Sequence, residues 1–394
     1  MTAACPLPSS YAVHANPQHA LSFKLCGESF SYVPKSVIID GLISYGGSTG
    51  VGLNLPAKAY SEFFERNHLF THVPITGRAR LDEIKPTNYR KALSQWCGLK
   101  RVSDSHTFSW TQVHNLFDDK PYDFFYNGIS LNGDKRDNAY LDYTDSCSCA
   151  AHPDKDGAIY NSLMEFIERQ ALLGSWMTGR VRYAINPDVL KVATPYQQLV
   201  QQLLTHGELY IFENGLDLPG HTVIMFYFAK SPKDSVQYSI GSSSGLSLEE
   251  ALTSALVELY QCYTFLYNTE SSKGLEDKAG SGYHLKFQQC NHQGSREVIP
   301  FLSLNLNYQI DTVEDVVSAK KFEFNDVVAE LAEFSRDIYY YHHHEPTLNL
   351  HFSKLIALDY FPHMDIQRVS VDNAYAKSLG INRDNAYTAP IPFP

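Results

Sequence analysis

Two stretches of this chain, SEFFERNHLF (61–70) and NSLMEFIERQALLGSW (161–176), carry the same pattern of two glutamates and an arginine: Glu62, Glu65 and Arg66, then Glu165, Glu168 and Arg169. At the helical rotation per residue, Ser162, Glu165, Glu168 and Arg169 share an arc of roughly 120°, while Leu163, Met164, Phe166, Ile167 and Leu173 cover the rest. A helix apolar over most of its circumference is a buried helix, so its polar stripe must face something inside the protein. The first copy reads the same way, with Tyr60, Phe63, Phe64, Leu69 and Phe70 on its other sides. A third helix sets Ser254, Glu258 and Gln261 on one face amid Leu252, Leu256, Val257, Leu259 and Tyr260.

Burying one ionised carboxylate is costly, and a second at i,i+3 adds repulsion, so converging pairs need cations. An arginine at i+4 supplies part of the charge. Four or five carboxylates on one site suit a divalent metal better, because Mg²⁺ takes carboxylate oxygens and keeps positions open for water or phosphate. The pattern points to a metal–nucleotide site built without a Walker loop. A lone Glu-x-x-Glu-Arg is more often a surface ion pair; two copies flanked by aromatics, with a third acidic helix, outweigh that reading.

Other motifs carry less. GGSTGVG (46–52) has the look of a phosphate loop but lacks the Gly-Lys-Ser/Thr ending, and reads as a turn feeding the first acidic helix. His342, His343 and His344 have no complementary ligand spacing and read as a partly buried polar run. Cys147 and Cys149 read as small buried residues in a turn. No Gly-x-Ser-x-Gly nucleophile motif is present.

The elements that must position these residues follow from periodicity. Lys35 to Ile43 is a predicted strand; a Gly-rich loop leads to Pro56 in the first turn of the helix holding Glu62. Short helical and strand-like pieces alternate from Ile75 to Leu141, among them RKALSQW and DFFYNGISL. TDSCSCAAHPDKDGA (144–158) is expected to be a loop entering the helix of Glu165. Residues 207–214, 221–229 and 236–242 are rich in β-branched and aromatic residues and read as neighbouring strands of one sheet. Ser247 with Glu250 fits a capping box opening the helix of Glu258. Residues 268 to about 296 read as a long loop or insertion, a helix is expected near 325–333, and the ending TAPIPFP cannot be helix or central strand.

The 394 residues, 44% of them hydrophobic, form a globular chain with ample material for a core. A net charge of −11 argues against nonspecific nucleic-acid or anionic-membrane binding. Seven cysteines without a C-x-x-C pair, no secretory signal and no membrane-length apolar run suggest a cytoplasmic setting.

These residues together resemble the YcaO-domain family, and within it the cyclodehydratase subunit of microcin-type thiazole/oxazole synthetases. The family's Ser-x-x-Glu-x-x-Glu-Arg motif is matched at Ala59, Glu62, Glu65 and Arg66, with alanine in the serine position. The second motif is matched by CSCAAHPDKDGAIYNSLMEFIER, and the Ala-x-x-x-Ala-x-x-Glu-x-x-Gln helix by ALTSALVELYQ, giving Glu258 and Gln261. Pro390, Pro392 and Pro394 match the Pro-x-Pro-x-Pro ending of azole-forming members.

The resemblance implies a mixed α/β YcaO fold, with sheets and helices packed around a central Mg-ATP cavity. It implies a domain over 36–380, a weakly ordered segment over 1–35 and a tail over 381–394. The implied activity is ATP-dependent conversion of Cys, Ser or Thr residues of a ribosomally made precursor peptide to azolines. Glu62, Glu65, Glu165 and Glu168 would hold Mg²⁺; Arg66 and Arg169 would contact phosphate or orient those acids; Ser162, Glu258 and Gln261 would complete the nucleotide site; and the Pro394 carboxylate would reach the active site, to position substrate or accept a proton. A leader-binding ThiF-like zinc subunit and an FMN-dependent dehydrogenase are the implied partners in a hetero-oligomer. Amidine or thioamide formation, or an inactive scaffold marked by Ala59 and Gly157, are the alternatives.

Overall fold

The computed structural model describes residues 22–26, 35–41, 44–50, 54–83, 105–141, 144–267, 290–304 and 306–393. Strands β1 (Ser22–Cys26), β2 (Lys35–Asp40) and β3 (Tyr45–Gly50) form an antiparallel sheet, and helix α1 (Leu55–Thr71) follows with Pro56 in its first turn. Next come β4 (Gly77–Ala79), β5 (Phe108–Asn115), β6 (Pro121–Phe125), the short α2 (Tyr126–Ile129), β7 (Cys149–His152) and the long α3 (Lys155–Thr178). Then β8 (Tyr183–Ile185), α4 (Leu190–Ala193), α5 (Gln197–His206), β9 (Gly207–Glu213), β10 (His221–Ala229), β11 (Tyr238–Gly245) and α6 (Leu248–Tyr267) complete the middle of the chain. The last part holds β12 (Tyr308–Ile310), α7 (Val313–Ser318), α8 (Phe324–Phe334), β13 (Ile338–Glu345), β14 (Leu350–Ala357) and α9 (Ala374–Ser378).

A second sheet runs β11-β10-β9-β8-β12, and a third runs β4-β5-β13-β14-β7 with β6 also paired to β5. Every residue of β10 is buried. Ile224, Phe226 and Phe228 enter one core with Trp176 and Phe301, while Val223, Met225 and Tyr227 enter another with Leu199 and Leu256. That double coverage explains why the strand reads as an unbroken apolar run instead of an alternation. Helix α3 packs on β7 and β14 of the third sheet and on β11 of the second. Its N-cap is Asp154, whose carboxylate accepts from Gly157 N at 2.9 Å, and Gly179 in the left-handed region (φ 64°) ends it. Wedged between sheets, it buries Leu163, Phe166, Ile167, Leu173 and Trp176, as its mostly apolar circumference requires.

The expected neighbours β9, β10 and β11 pair antiparallel in that order, and the helices of Glu62, Glu165 and Glu258 lie where periodicity put them. Three expectations need correction. The stretch 45–50, read as a loop, is the strand β3; a Cβ on Gly46 would sit 2.1 Å from Ala59 O and 2.5 Å from Phe63 N, so the α1 backbone lies directly on the strand. The loop read over 144–158 contains β7, paired with β14. DFFYNGISL, read among the alternating helical and strand-like pieces, holds the end of β6 and the short α2, in keeping with that reading. Ser247 Oγ accepts from Glu250 N at 3.2 Å as expected, but the Glu250 carboxylate reaches back to Leu246 N (3.0 Å), one residue beyond the box, and takes the Tyr160 hydroxyl at 2.8 Å. RKALSQW, most of the 1–35 segment and 268–289 fall outside the described residues; within 1–35, residues 22–26 form β1.

Candidate active site

Three helices bring the acidic residues together. On α1, Glu62 Oε1 accepts from Arg66 Nη2 at 2.8 Å while its Oε2 accepts from the main-chain N of Gly47 on β3 at 2.6 Å. Glu65, one turn on, is buried, and burial first, then Glu165 and Glu62, push its carboxyl well above the usual carboxylate range against the opposing charge of Arg66. On α3, Arg169 lies 3.4 Å from Glu165 and 3.5 Å from Glu168. Burial raises Glu165 to about 7 despite Arg169 and Arg66, and raises Glu168 well above its usual range despite Arg169. On α6, Glu258 accepts from Ser242 N of β11 at 2.9 Å. Burial raises Glu258 too; Arg169 opposes the rise and Glu62 adds to it.

The charges act across helices: Glu165 on Glu65, Glu258 on Glu165, Glu62 on Glu258. Arg66, Ser162 and Gln261 belong to the same assembly: a Cβ on Gly47, whose N–H holds Glu62, would lie only 3.3 Å from the Gln261 amide nitrogen. Ser254 is exposed and stands apart. So many acids held away from water resist ionisation unless positive charge enters. Ser162 Oγ, Glu168 Oε1, Arg169 Nε and Ser242 Oγ are buried without a hydrogen-bond partner. Buried polar atoms are normally satisfied, so this convergence fits a polar ligand that also carries cations. Among the described residues no three His, Cys, Asp or Glu side chains share one coordination point; the carboxylates are spread along the stripe, engaged with the arginines and with strand N–H groups.

Pro394 lies outside the described residues, but the tail up to Phe393 is seated at the site. Tyr387 N donates to Met177 O (2.9 Å), Trp176 Nε1 to Ala389 O (2.8 Å) and the Tyr238 hydroxyl to Pro392 O (2.6 Å). The Phe393 ring then lies 4.6 Å from the Arg169 guanidinium carbon. Next to Arg169 opens a cavity lined by Asp145, Cys147, Phe166, Lys354 and His363.

Sequence reading missed Lys354. The residue is 3% exposed; its ammonium donates to Asp145 O at 2.7 Å and Thr144 Oγ1 at 3.0 Å, and its charge acts on Glu65. A lysine inside the apolar run HFSKLIALDY was the available signal. The histidine run packs into its neighbours: His342 Nε2 meets His351 Nδ1 at 2.8 Å and His344 stacks on His351. Burial pushes the thiols of Cys147 and Cys149 upward, away from reactivity.

Comparison with known proteins adds a family. A family model described as YcaO cyclodehydratase, ATP- and Mg²⁺-binding, matches residues 57–357. The microcin B17-processing protein McbD of Escherichia coli is 27% identical over 362 residues, covering 89% of this chain and 91% of its own. Among solved structures, a chain of the E. coli microcin synthetase McbBCD complex superposes with a TM-score of 0.84 at 23% identity, over 94% of this chain and 96% of that one. A YcaO protein from Methanopyrus kandleri bound with AMPPCP and Mg²⁺ shares the fold with a TM-score of 0.63 at 11% identity, over 89% of each chain.

Proposed function

Because the chain belongs to the YcaO cyclodehydratase family, we propose that it is an ATP-dependent peptide cyclodehydratase that forms thiazolines and oxazolines in a ribosomally made precursor. In that reaction a Cys thiol or Ser/Thr hydroxyl adds to the preceding amide carbonyl, the carbonyl oxygen leaves as phosphate and the amide N–H proton is lost, so each ring forms with net loss of one water. Mg²⁺-ATP, when bound, supplies the phosphoryl group that turns a poor leaving oxygen into a good one. The observation that carries the reading is the convergence of acidic stripes from three helices on buried polar atoms without hydrogen-bond partners, with the Phe393 ring seated at Arg169.

Glu62, Glu65, Glu165 and Glu168 hold the cations in this reading, and Arg66 and Arg169 orient the acids and face phosphate oxygens. Ser162, Glu258 and Gln261 complete the nucleotide site. The seated tail would exclude water beside Arg169, and the Pro394 carboxylate would position the peptide or take up the proton of the attacking group. Positioning and charge neutralisation, not covalent catalysis, are what such a site contributes.

McbD is named for microcin B17 processing, and the fold is that of a subunit in a complex also seen with pro-MccB17 bound. By analogy this chain works on a precursor peptide beside a leader-binding ThiF-like zinc subunit and an FMN-dependent dehydrogenase. Incubating the assembled proteins with Mg²⁺-ATP and a Cys/Ser-rich precursor tests the reading: loss of one water mass per ring is expected, abolished by Glu165→Ala. ATP turnover without ring formation favours amidine or thioamide chemistry, and no turnover in either protein favours a scaffold.

A further inference from the structure

Two parts of the chain far apart in sequence build the same device. In β3–α1, Ser44 Oγ donates to Phe63 O (3.1 Å), a Cβ on Gly46 would meet Ala59 O at 2.1 Å and Phe63 N at 2.5 Å, and Gly47 N donates to Glu62 (2.6 Å). In β11–α6, Ser239 Oγ donates to Leu259 O (2.8 Å), a Cβ on Gly241 would meet Ala255 O at 2.2 Å and Leu259 N at 2.3 Å, and Ser242 N donates to Glu258 (2.9 Å). The strands align with Gly46 on Gly241, Ser44 on Ser239 and Gly47 on Ser242, and the helices, after one extra residue in the second connection, with Ala59 on Ala255, Glu62 on Glu258 and Phe63 on Leu259. Gln261 then falls on Glu65, and Cys262 on Arg66. In α3, whose sequence fits the same template at Ser162, Glu165 and Glu168, the Glu165 carboxylate is held by Arg169 instead of a strand N–H.

We propose that Glu62 and Glu258 are a matched pair of carboxylates presented by a duplicated strand–helix unit, and that Gly46, Gly47, Gly241 and Ser242 are positioning residues for the acid site. The glycines let helix backbone lie on strand backbone, which brings the carboxylate within reach of the next strand N–H. That N–H fixes one oxygen of each carboxylate, and the second oxygen of Glu62 accepts from Arg66. The two halves are not equal in charge. Glu62 has Arg66 on its own helix, whereas Glu258 has Cys262 there and draws on Arg169 across the site. Gln261 in place of a second acid keeps that half from adding further charge, so the pair combines matched geometry with an acid-rich and an acid-poor side. This assignment rests on the nucleotide-site reading above.

Binding of Mn²⁺·AMPPCP to the full chain, followed by electron paramagnetic resonance and calorimetry, tests it without recourse to turnover. Ser242→Pro removes the N–H that Glu258 uses, at a strand that ends its sheet in the described residues; affinity is expected to fall about tenfold or more, from the worth of a hydrogen bond to a charged group. Placed on Glu258→Ala, the same proline should cost nothing further, because the group it positions is gone. Glu258→Asp, which keeps the charge but shortens the reach, is expected to lose affinity to a similar degree and serves if the proline variant does not fold. Wild-type affinity in Ser242→Pro or Glu258→Asp, or a full further loss from the proline on Glu258→Ala, overturns the positioning role. Absence of Mn²⁺·AMPPCP binding by the unmodified protein overturns the nucleotide-site reading itself.

Discussion

Replacing Tyr238 by phenylalanine removes one oxygen atom, at the place where the tail is tied to β11. The hydroxyl bonds Pro392 O at 2.6 Å, and both residues are buried. Deleting one partner of a buried hydrogen bond costs about 1–3 kcal/mol, because the carbonyl left behind has no water to turn to. A loss of that size shifts the seated tail roughly five- to 150-fold toward release. Hydrogen exchange over 384–393 should quicken, AMPPCP affinity should hold and ring formation should fall severalfold or more. Faster exchange with undiminished ring formation would refute the idea that the seated tail serves the reaction; unchanged exchange would refute the idea that this bond holds the tail.

Three further outcomes are expected. Adding a few residues after Pro394 should abolish ring formation without lowering the melting temperature, and an active C-terminally tagged protein contradicts the proposed role of the terminal carboxylate. Gly241→Ala must separate α6 from β11, since its Cβ would lie 2.2 Å from Ala255 O; a loss of about 1–3 kcal/mol is expected from overpacking, read from denaturant midpoints. Glu213 is fully buried against Arg182 at 2.9 Å, and burial raises its carboxyl from 4.5 to about 7. The folded chain therefore keeps a proton that the unfolded chain has released: its contribution is present in full below pH 4.5 and fades as pH rises to 7, by up to about 3 kcal/mol. Glu213→Gln cannot ionise, so its melting temperature relative to wild type should climb between pH 5 and 8; parallel curves would show that Glu213 does not titrate in this window.

The acidic helices were legible because a polar stripe on an otherwise apolar helix has few explanations; α1 and α6 lie within one or two residues of where periodicity puts them, while α3 begins at Lys155, inside the stretch read as a loop, where Asp154 caps it. The apolar β9 and β10 were legible for the same reason. Lys354 was hidden because a single charge in a strand says nothing of the loop it will tie down. The short β7 was hidden because Cys-Ala-Ala-His has no alternation, and its pairing with β14 is a tertiary choice over roughly two hundred residues. Gly47 and Ser242 were beyond reach in principle: what they contribute is a main-chain N–H, which every residue but proline owns.

The misreading of GGSTG as a loop has a physical cause that also explains why the duplication went unseen. A strand whose N–H groups serve a helix carboxylate must stand at a sheet edge, since an inner strand spends its donors on neighbours. On the side where the helix backbone rests, it must also shed its side chains, as Gly46 and Gly241 do. Both demands select glycine, serine and threonine, the composition that sequence rules assign to turns. β11 escaped the error because Tyr238 and Ile240 precede its GSSSG with buried apolar side chains, whereas β3 offers only Tyr45 before GGSTG. The resemblance to a phosphate loop is thus not accidental in kind: in both cases small residues expose main-chain N–H groups to negative charge. A phosphate loop turns them on the nucleotide, and here they are turned on Glu62 and Glu258, two acids of the proposed nucleotide site.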